Sequence, residues 1–202
     1  IDREQKLVHV LDHTTGVEST EPYDKLVLTT GAMQLRPPIP GINHPKIFTL
    51  RTIPDMDAIK AEVDGNAKSA IIIGGGYIGV ELSGVLQALG TDVSLFAMED
   101  RVLKLFDPIV SDVLMDEMRK QDIELYTDFR ASRLEQNEDG ISVVSAQGKT
   151  VSGFDTVIWA VGRSANTRTL NLEAAGVEML PNGMIPVDDA EQTSVPGIYA
   201  IG

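Results

Sequence analysis

The run Ile71-Ile72-Ile73-Gly74-Gly75-Gly76-Tyr77-Ile78-Gly79-Val80-Glu81 joins three β-branched residues to a glycine-rich turn. Its glycines fit the spacing G-x-G-x-x-G at Gly74, Gly76 and Gly79. β-branched apolar residues favour a buried strand, and a glycine turn of this spacing commonly opens a helix. The run therefore predicts a strand, a tight turn and the first turns of a helix.

The residues that follow complete a βαβ unit. Apolar residues recur at helical spacing, at Ile78, Leu82, Val85, Leu86 and Leu89. Gly90 stands where a helix commonly ends, and Asp92–Phe96 predicts a second strand. In this context Gly74 permits the turn, Gly76 lets backbone approach a phosphate, and Gly79 lets the helix pack closely. The unit predicts a dinucleotide-binding loop, although the glycine spacing alone is also typical of flexible turns.

Composition narrows the class of protein. The chain has 202 residues, of which 43% are hydrophobic and 23% charged, as in ordinary globular proteins. Its net charge of −13 argues against nucleic-acid binding, which needs a basic surface. No apolar run approaches the roughly 18 residues of a membrane span, and no signal peptide opens the chain, so we expect a cytoplasmic protein. The absence of cysteine excludes disulfides and a thiol redox centre within the chain, and the three histidines lack metal-like spacing.

The order of predicted elements indicates the domain organisation. Residues 47–163 alternate strands and helices and then add a β-meander, which predicts an α/β domain: a Rossmann-like parallel sheet with helices on both faces. The prolines of Pro37–Gly41 predict an extended connector, so residues 1–46 form a separate segment. Residues 164–202 form a third segment. The chain stops directly after an apolar strand, Ile198–Ile201, and we expect it to be part of a longer protein.

Capping residues and prolines predict three local features. A helix is expected to follow Thr52 and to end at Asp64–Asn66. A second helix begins after the N-cap Asp107, with an apolar face made of Val110, Val113, Leu114 and Met118. An edge strand is predicted at Ile185–Val187.

Four motifs occur in a fixed order: Leu28–Gly31, Gly74–Glu81, Ala160–Asn166 and Thr193–Gly202. Together they resemble the FAD-dependent pyridine nucleotide-disulfide oxidoreductases, and the resemblance covers essentially the whole chain. The segments Pro38–Gly41 and Phe48–Arg51 are more similar to the NADH oxidase and CoA-disulfide reductase branch. They are less similar to the glutathione reductase and dihydrolipoamide dehydrogenase branch.

The resemblance implies that residues 47–163 are an NAD(P)H-binding domain, flanked by partial FAD-domain segments at 1–46 and 164–202. The full-length enzyme would be a homodimer. It would pass hydride from NAD(P)H to FAD and on to a disulfide, thiol-derived, peroxide or oxygen acceptor. This chain alone is expected to be a monomer that binds the nicotinamide dinucleotide without turnover. The alternatives are a glutathione reductase-like or dihydrolipoamide dehydrogenase-like enzyme, or a non-catalytic nucleotide-binding module.

The resemblance also implies roles for individual residues. The pyrophosphate loop comprises Gly74, Gly75, Gly76, Tyr77, Ile78 and Gly79. Tyr77 matches a tyrosine that gates the nicotinamide pocket, and Glu81 a glutamate on the flavin side. Val161 and Gly162 match the strand end beside the nicotinamide ribose, and Thr30 and Gly31 match an FAD-domain motif. The alternatives are an aromatic residue packed at a helix start for Tyr77 and a solvated helix face for Glu81.

The choice between NADH and NADPH depends on the end of the second strand. NAD-binding enzymes place an acidic residue there for the ribose hydroxyls, and NADP-binding enzymes place arginines nearby. The matching positions carry Ala97 and Met98, and Glu99 is the first charged residue after them. Because no arginine pair follows, we expect NADH, with NADPH left open. Asp100 is a further acid in this segment, and Arg101 and Lys104 are basic. The alternative is that all of these charges belong to a solvated loop.

Overall fold

The computed structural model describes residues 1–65 and 67–202. They form two compact units, a larger one of Gln34–Gly162 and a smaller one made of Ile1–Met33 and Arg163–Gly202. The predicted helix end at Asn66 lies outside the described residues.

The strands, in chain order, are β1 Leu7–Leu11, β2 Glu18–Pro22, β3 Leu26–Leu28, β4 Ala32–Gln34, β5 Ile47–Phe48, β6 Ser69–Ile73, β7 Asp92–Phe96, β8 Glu124–Tyr126, β9 Ala131–Asn137, β10 Gly140–Ser145, β11 Thr150–Phe154, β12 Thr156–Trp159, β13 Arg163–Ala165 and β14 Ile198–Ala200. The α-helices are α1 Ile53–Gly65, α2 Tyr77–Ala88 and α3 Pro108–Lys120, and a 3₁₀ turn spans Leu172–Ala175.

A parallel sheet forms the centre of the larger unit. Its strand order is β5-β12-β6-β7-β8, and each neighbouring pair is parallel. Ile72 of β6 lies opposite Ile158 on one side and Leu95 on the other. Strands buried on both faces have nearly continuous apolar sequences, as β6 does. The α/β fold with a parallel sheet and an added meander is therefore confirmed.

The two faces of this sheet are covered by different kinds of structure, because successive strand residues point to opposite sides. Ala70 and Ile72 share one hydrophobic cluster with the buried residues of the helices, Ile59, Leu86, Met115 and Met118. Ile71 and Ile73 share another with the antiparallel meander β9-β10-β11. The expectation of helices on both faces is thus corrected. The buried residues of the three helices pack on the face of Ala70 and Ile72, and the meander covers the face of Ile71 and Ile73.

The helices α2 and α3 bury narrower faces than predicted. Val85 is 54% exposed and Val113 is 65% exposed, although both were predicted to pack inward. Helix α3 buries Met118, as predicted, together with Ser111 and Met115, which were not predicted. The predicted start of α3 is confirmed, since Asp107 caps this helix by accepting a hydrogen bond from the Ile109 N–H at 3.0 Å.

The smaller unit contains three strand pairs. β1 and β2 form an antiparallel hairpin, β3 and β14 are parallel, and β4 pairs with β13. Its core consists of Leu172, Ala175, Val177, Val195 and Ile198. The strand predicted at the end of the chain is confirmed as β14. The prediction of a strand at Ile185–Val187 is wrong, because this segment does not pair with another strand.

Candidate functional site

The glycine loop connects β6 to α2, and its first glycine is fixed by backbone contacts. Gly74 has a φ of +131°, a region that residues with a side chain rarely adopt. Its N–H donates to the Phe96 carbonyl at 2.8 Å. A Cβ atom at this position would overlap the carbonyl oxygen of Ala160. The turn therefore requires glycine at Gly74 because three neighbouring strand ends meet around it.

The remaining glycines of the loop differ in their surroundings. A Cβ on Gly75 would lie 2.8 Å from the Cβ of Ala97, and a Cβ on Gly79 would overlap the Gly74 carbonyl oxygen. A Cβ on Gly76 would meet nothing within 4 Å. Gly76 is the N-cap of α2, in extended conformation, and forms no side-chain capping hydrogen bond. The loop is thus closed toward the protein at Gly75 and Gly79 and open toward solvent at Gly76.

Helix N-termini expose N–H groups that lack partners within the helix, and the helix dipole makes this end positive. With open space beside Gly76 and no capping side chain from that residue, the first turn of α2 has features that suit an anion. Ile78 lies in this turn and is half-buried. One turn further along α2, the buried hydroxyl of Ser83 donates to the Gly79 carbonyl at 2.7 Å, a bond within the helix.

The segment after β7 runs beside the glycine loop. Ala97 is fully buried: its N–H donates to the Tyr126 carbonyl at 2.8 Å, and its carbonyl accepts from the Phe129 N–H at 2.9 Å. Met98 is 53% exposed and Glu99 is half-buried. The Glu99 carbonyl accepts from the Asp128 N–H at 2.9 Å. The backbone is therefore fixed, while the side chains of Met98 and Glu99 lie at the surface.

An ion-pair cluster continues this segment. Asp100 contacts Lys104 at 2.5 Å and Arg101 at 3.4 Å. The hydrogen bond from Lys104, with a smaller contribution from Arg101, holds the pKa of the Asp100 carboxyl below its usual value. Both cations between β7 and α3 thus pair with the same carboxylate.

The end of β12 supplies the third part of the site. The Ala160 N–H donates to the Ile73 carbonyl at 2.7 Å, which joins β12 to β6 just before the glycine loop. Val161 packs against the core, and Gly162 has a φ of +92° and is exposed. The Gly162 carbonyl accepts from the Leu35 N–H at 3.0 Å. These contacts place the predicted residues of three strands at one edge of the sheet.

Tyr77 and Glu81 both lie on α2. They are four residues apart, so they occupy the same face of the helix, one turn from each other. Tyr77 is 47% exposed and Glu81 is also exposed. Their position at the start of α2 places them beside the glycine loop.

Thr30 and Gly31 belong to the smaller unit. Both carbonyl oxygens accept hydrogen bonds from Asn166, Thr30 from the side-chain amide at 3.3 Å and Gly31 from the backbone N–H at 2.9 Å. Gly31 has a φ of +66°, and a Cβ there would meet nothing within 4 Å. Asn166 thus fixes this turn from the second segment of its unit.

Sequence reasoning missed Leu103. Its N–H donates to the Gly75 carbonyl at 2.7 Å, and its carbonyl accepts from the Ser111 hydroxyl at 3.3 Å. Its φ is +50°, which is uncommon for leucine. No sequence pattern indicates this conformation. Asp128, with a φ of +53°, was missed for the same reason.

The parallel sheet with a glycine loop at the carboxyl edge defines a Rossmann-type α/β fold. Comparison with known proteins identifies the family. Residues 1–202 match the family described as pyridine nucleotide-disulphide oxidoreductase, and the chain belongs to this family.

Two curated relatives illustrate the match. An NADH oxidase of Enterococcus faecalis is 35% identical over 203 residues, covering 100% of this chain and 45% of the relative. A glutathione reductase of Schizosaccharomyces pombe is 37% identical over 142 residues, covering 70% and 31%. The chain therefore spans less than half the length of these relatives.

Similar solved structures support the same family assignment. The water-forming NADH oxidase from Lactobacillus brevis, bound to NADH, has a TM-score of 0.88 at 32% identity and covers 99% of this chain and 43% of that one. The reduced CoADR-RHD of Bacillus anthracis has a TM-score of 0.89 at 35% identity, with 100% and 36% covered. An engineered water-forming NADPH oxidase, bound to NADPH, has a TM-score of 0.85 at 32% identity, with 99% and 43% covered. The predicted family, including similarity to its NADH oxidase branch, is confirmed.

Within residues 1–65 and 67–202, no helix combines the length and apolar character that crossing a membrane requires.

Proposed function

We propose that this chain is the NAD(P)H-binding portion of a flavin-dependent oxidoreductase and that it binds NADH through the loop Gly74–Gly79. The observation that carries the proposal is the difference between glycines of one loop. Gly74 and Gly79 are closed in by backbone, whereas Gly76 faces open space at the N-terminus of α2 and supplies no capping side chain. A loop shaped this way fits a pyrophosphate, which needs close backbone approach and N–H donors.

The surrounding residues fit the rest of the dinucleotide. In this proposal the adenosine ribose is bound by Ala97, Met98 and Glu99, because dinucleotide folds read this ribose at the end of the second strand. Val161 and Gly162 would contact the nicotinamide half, with Tyr77 gating it and Glu81 supporting the flavin side. Two solved relatives, bound to NADH and to NADPH, support a nicotinamide cofactor.

The activity of the full-length protein is part of the proposal. NADH supplies a hydride when bound, and FAD in the full-length enzyme would receive it. Thr30 and Gly31 would contribute to flavin binding from the smaller unit, and the open space beside Gly31 is compatible with this role. This chain contains no cysteine, so a thiol step would need a residue outside it. We further propose a cytoplasmic homodimer as the full-length state and a monomer for this chain alone.

The acceptor of the electrons has two candidates. Oxygen or peroxide is favoured by the two NADH oxidase relatives, one of them matching the whole chain. A disulfide is favoured by the 37% identity to a glutathione reductase. Steady-state assays of the full-length enzyme with each acceptor would distinguish them.

A fluorescence titration of this chain with NADH tests the binding proposal. We expect saturable binding and competition by ADP-ribose, which keeps the pyrophosphate and the adenosine. Nicotinamide mononucleotide lacks the pyrophosphate bridge and should compete far more weakly. A chain that is folded by circular dichroism but shows no saturable NADH binding would overturn the proposal.

A further inference from the structure

The segment between β7 and α3, here called the ribose segment and defined as Ala97–Phe106, contains two basic residues, Arg101 and Lys104. Both contact the carboxylate of Asp100, Lys104 at 2.5 Å and Arg101 at 3.4 Å. Glu99 adds a second acidic side chain beside this pair. The two acids therefore balance the two bases, and the segment presents no net positive charge.

The ribose segment is fixed beside the glycine loop. The Leu103 N–H donates to the Gly75 carbonyl at 2.7 Å, and Val102 is fully buried. The Leu103 carbonyl accepts from Phe106 at 2.8 Å and from the Ser111 hydroxyl at 3.3 Å. These bonds hold a leucine at positive φ, a conformation that persists only where the surroundings enforce it. Arg101 and Lys104 thus lie on either side of a backbone anchor to the proposed pyrophosphate loop.

The two nicotinamide cofactors differ at one group that this segment would meet. NADPH carries a 2′-phosphate on the adenosine ribose, and NADP-binding enzymes meet that charge with basic side chains near the end of the second strand. Arg101 and Lys104 are in the right part of the sequence for this role. The carboxylate of Asp100 already occupies both of them.

We propose that Asp100 is a specificity-determining residue, which favours NADH over NADPH by pairing with Arg101 and Lys104 and withholding both cations from a 2′-phosphate. This inference rests on the proposed function, because it assumes that the ribose lies at this segment. Exposed ion pairs are individually weak, so the pairs can be released without disturbing the fold. The buried anchor at Val102 and Leu103 would keep the backbone in place.

The substitution Asp100→Asn tests the inference. Removing the carboxylate leaves Arg101 and Lys104 unpaired and gives the segment a net positive charge. We expect the ratio of the NADPH dissociation constant to the NADH dissociation constant to fall about fivefold at low ionic strength. Because the new contacts would be exposed, 0.5 M salt should remove most of this gain. Adding Lys104→Gln to Asp100→Asn should reverse it.

Asp116→Asn is the matched control. Asp116 is an exposed carboxylate on α3 that pairs with Arg119 at 3.0 Å, so its substitution makes the same change in net charge outside the ribose segment. We expect its cofactor ratio to equal that of the unsubstituted chain. If Asp100→Asn shifts the ratio no more than Asp116→Asn while the unsubstituted chain binds NADH, the inference is overturned and the proposed function stands. If the folded, unsubstituted chain binds neither cofactor, both are overturned.

Discussion

The carbonyl oxygen of Gly74 occupies the space that a Cβ atom on Gly79 would need. This contact joins the start of the glycine loop to the first turn of α2, and it involves only the protein's own backbone. Gly79 therefore contributes to the stability of the fold, whatever the loop binds. Gly76 differs, because no atom of the protein lies within 4 Å of a Cβ placed there. The same motif thus contains glycines that serve packing and a glycine that is free to serve a ligand.

The first prediction concerns the stability of this turn. Gly79→Ala should lower the free energy of unfolding by about 1–3 kcal/mol, because α2 must move away from the Gly74 carbonyl. Urea denaturation followed by circular dichroism measures the change. Gly84→Ala is the control: it lies in the same helix, and its Cβ would meet nothing within 4 Å. Since alanine favours helix, this control should stabilise the chain by about 0.5–1 kcal/mol. Equal effects of the two substitutions would contradict the packing role of Gly79.

The second prediction concerns the proposed contact between Glu99 and the ribose. Glu99→Gln should weaken NADH binding by about 1 kcal/mol, because a charged acceptor of a ribose hydroxyl is replaced by a neutral one. Calorimetric titration of NADH measures the change. Glu138→Gln, in the turn between β9 and β10, is the control and should leave the affinity unchanged. An unchanged affinity for Glu99→Gln would remove Glu99 from the site.

The third prediction concerns the N-terminus of α3. Asp107 accepts a hydrogen bond from the Ile109 N–H, and Pro108 follows it at the first helical position. Asp107→Ala should cost about 1 kcal/mol in the free energy of unfolding. Asp112→Ala removes an acidic residue from the exposed side of the same helix and should not destabilise the chain. A loss of similar size from both variants would mean that the cap contributes nothing specific.

The fourth prediction concerns pH. Burial raises the pKa of the Asp155 carboxyl, but hydrogen bonds from Ser69 and Lys68 outweigh it, so that this pKa lies below its ordinary value. The side chain accepts from the Lys68 N–H at 2.8 Å and from the Ser69 N–H at 3.0 Å, and so joins the start of β12 to β6. A carboxyl with a depressed folded-state pKa stabilises the folded state above its unfolded pKa, and this contribution is lost as the pH falls through the folded pKa.

Asp155→Asn should therefore destabilise the chain most near neutral pH, and the difference from the unsubstituted chain should shrink below about pH 4. Urea denaturation at several pH values measures this difference. A difference that stays constant from pH 7 to pH 3 would show that the charge of Asp155 does not contribute. Asp139→Asn, in the hairpin turn, provides the comparison for an exposed carboxyl.

The strand–turn–helix of Ser69–Ala88 was predictable because each residue choice agrees with the others. The β-branched run fixes β6, the glycines fix the turn, and the 3.6-residue period fixes α2. The buried face of α3 was not predictable in the same way. Periodicity favoured Val110 and Val113, but the structure buries Ser111, whose hydroxyl bonds to the Leu103 carbonyl. A polar residue held by a tertiary hydrogen bond has no signature in hydrophobic periodicity.

The side-chain pairing and backbone conformation of the ribose segment were also not predictable from the sequence. Its residue types were noted from the sequence, including Glu99 and the neighbouring charges. The pairing of Asp100 with both cations and the left-handed conformation of Leu103 depend on the backbone path after β7. Likewise, the sequence indicated a meander but not that it would cover the sheet face containing Ile71 and Ile73.

The central claim is that the open space beside Gly76 receives the cofactor's pyrophosphate. Calorimetric titration of NADH into the unsubstituted chain and into Gly76→Val tests it most directly, with circular dichroism and urea denaturation on both. The backbone at Gly76, with φ −79° and ψ 176°, is one that valine adopts without strain. We predict saturable NADH binding by the unsubstituted chain and no measurable binding by a Gly76→Val variant of equal stability. Equal affinity of the two folded proteins for NADH would contradict the claim.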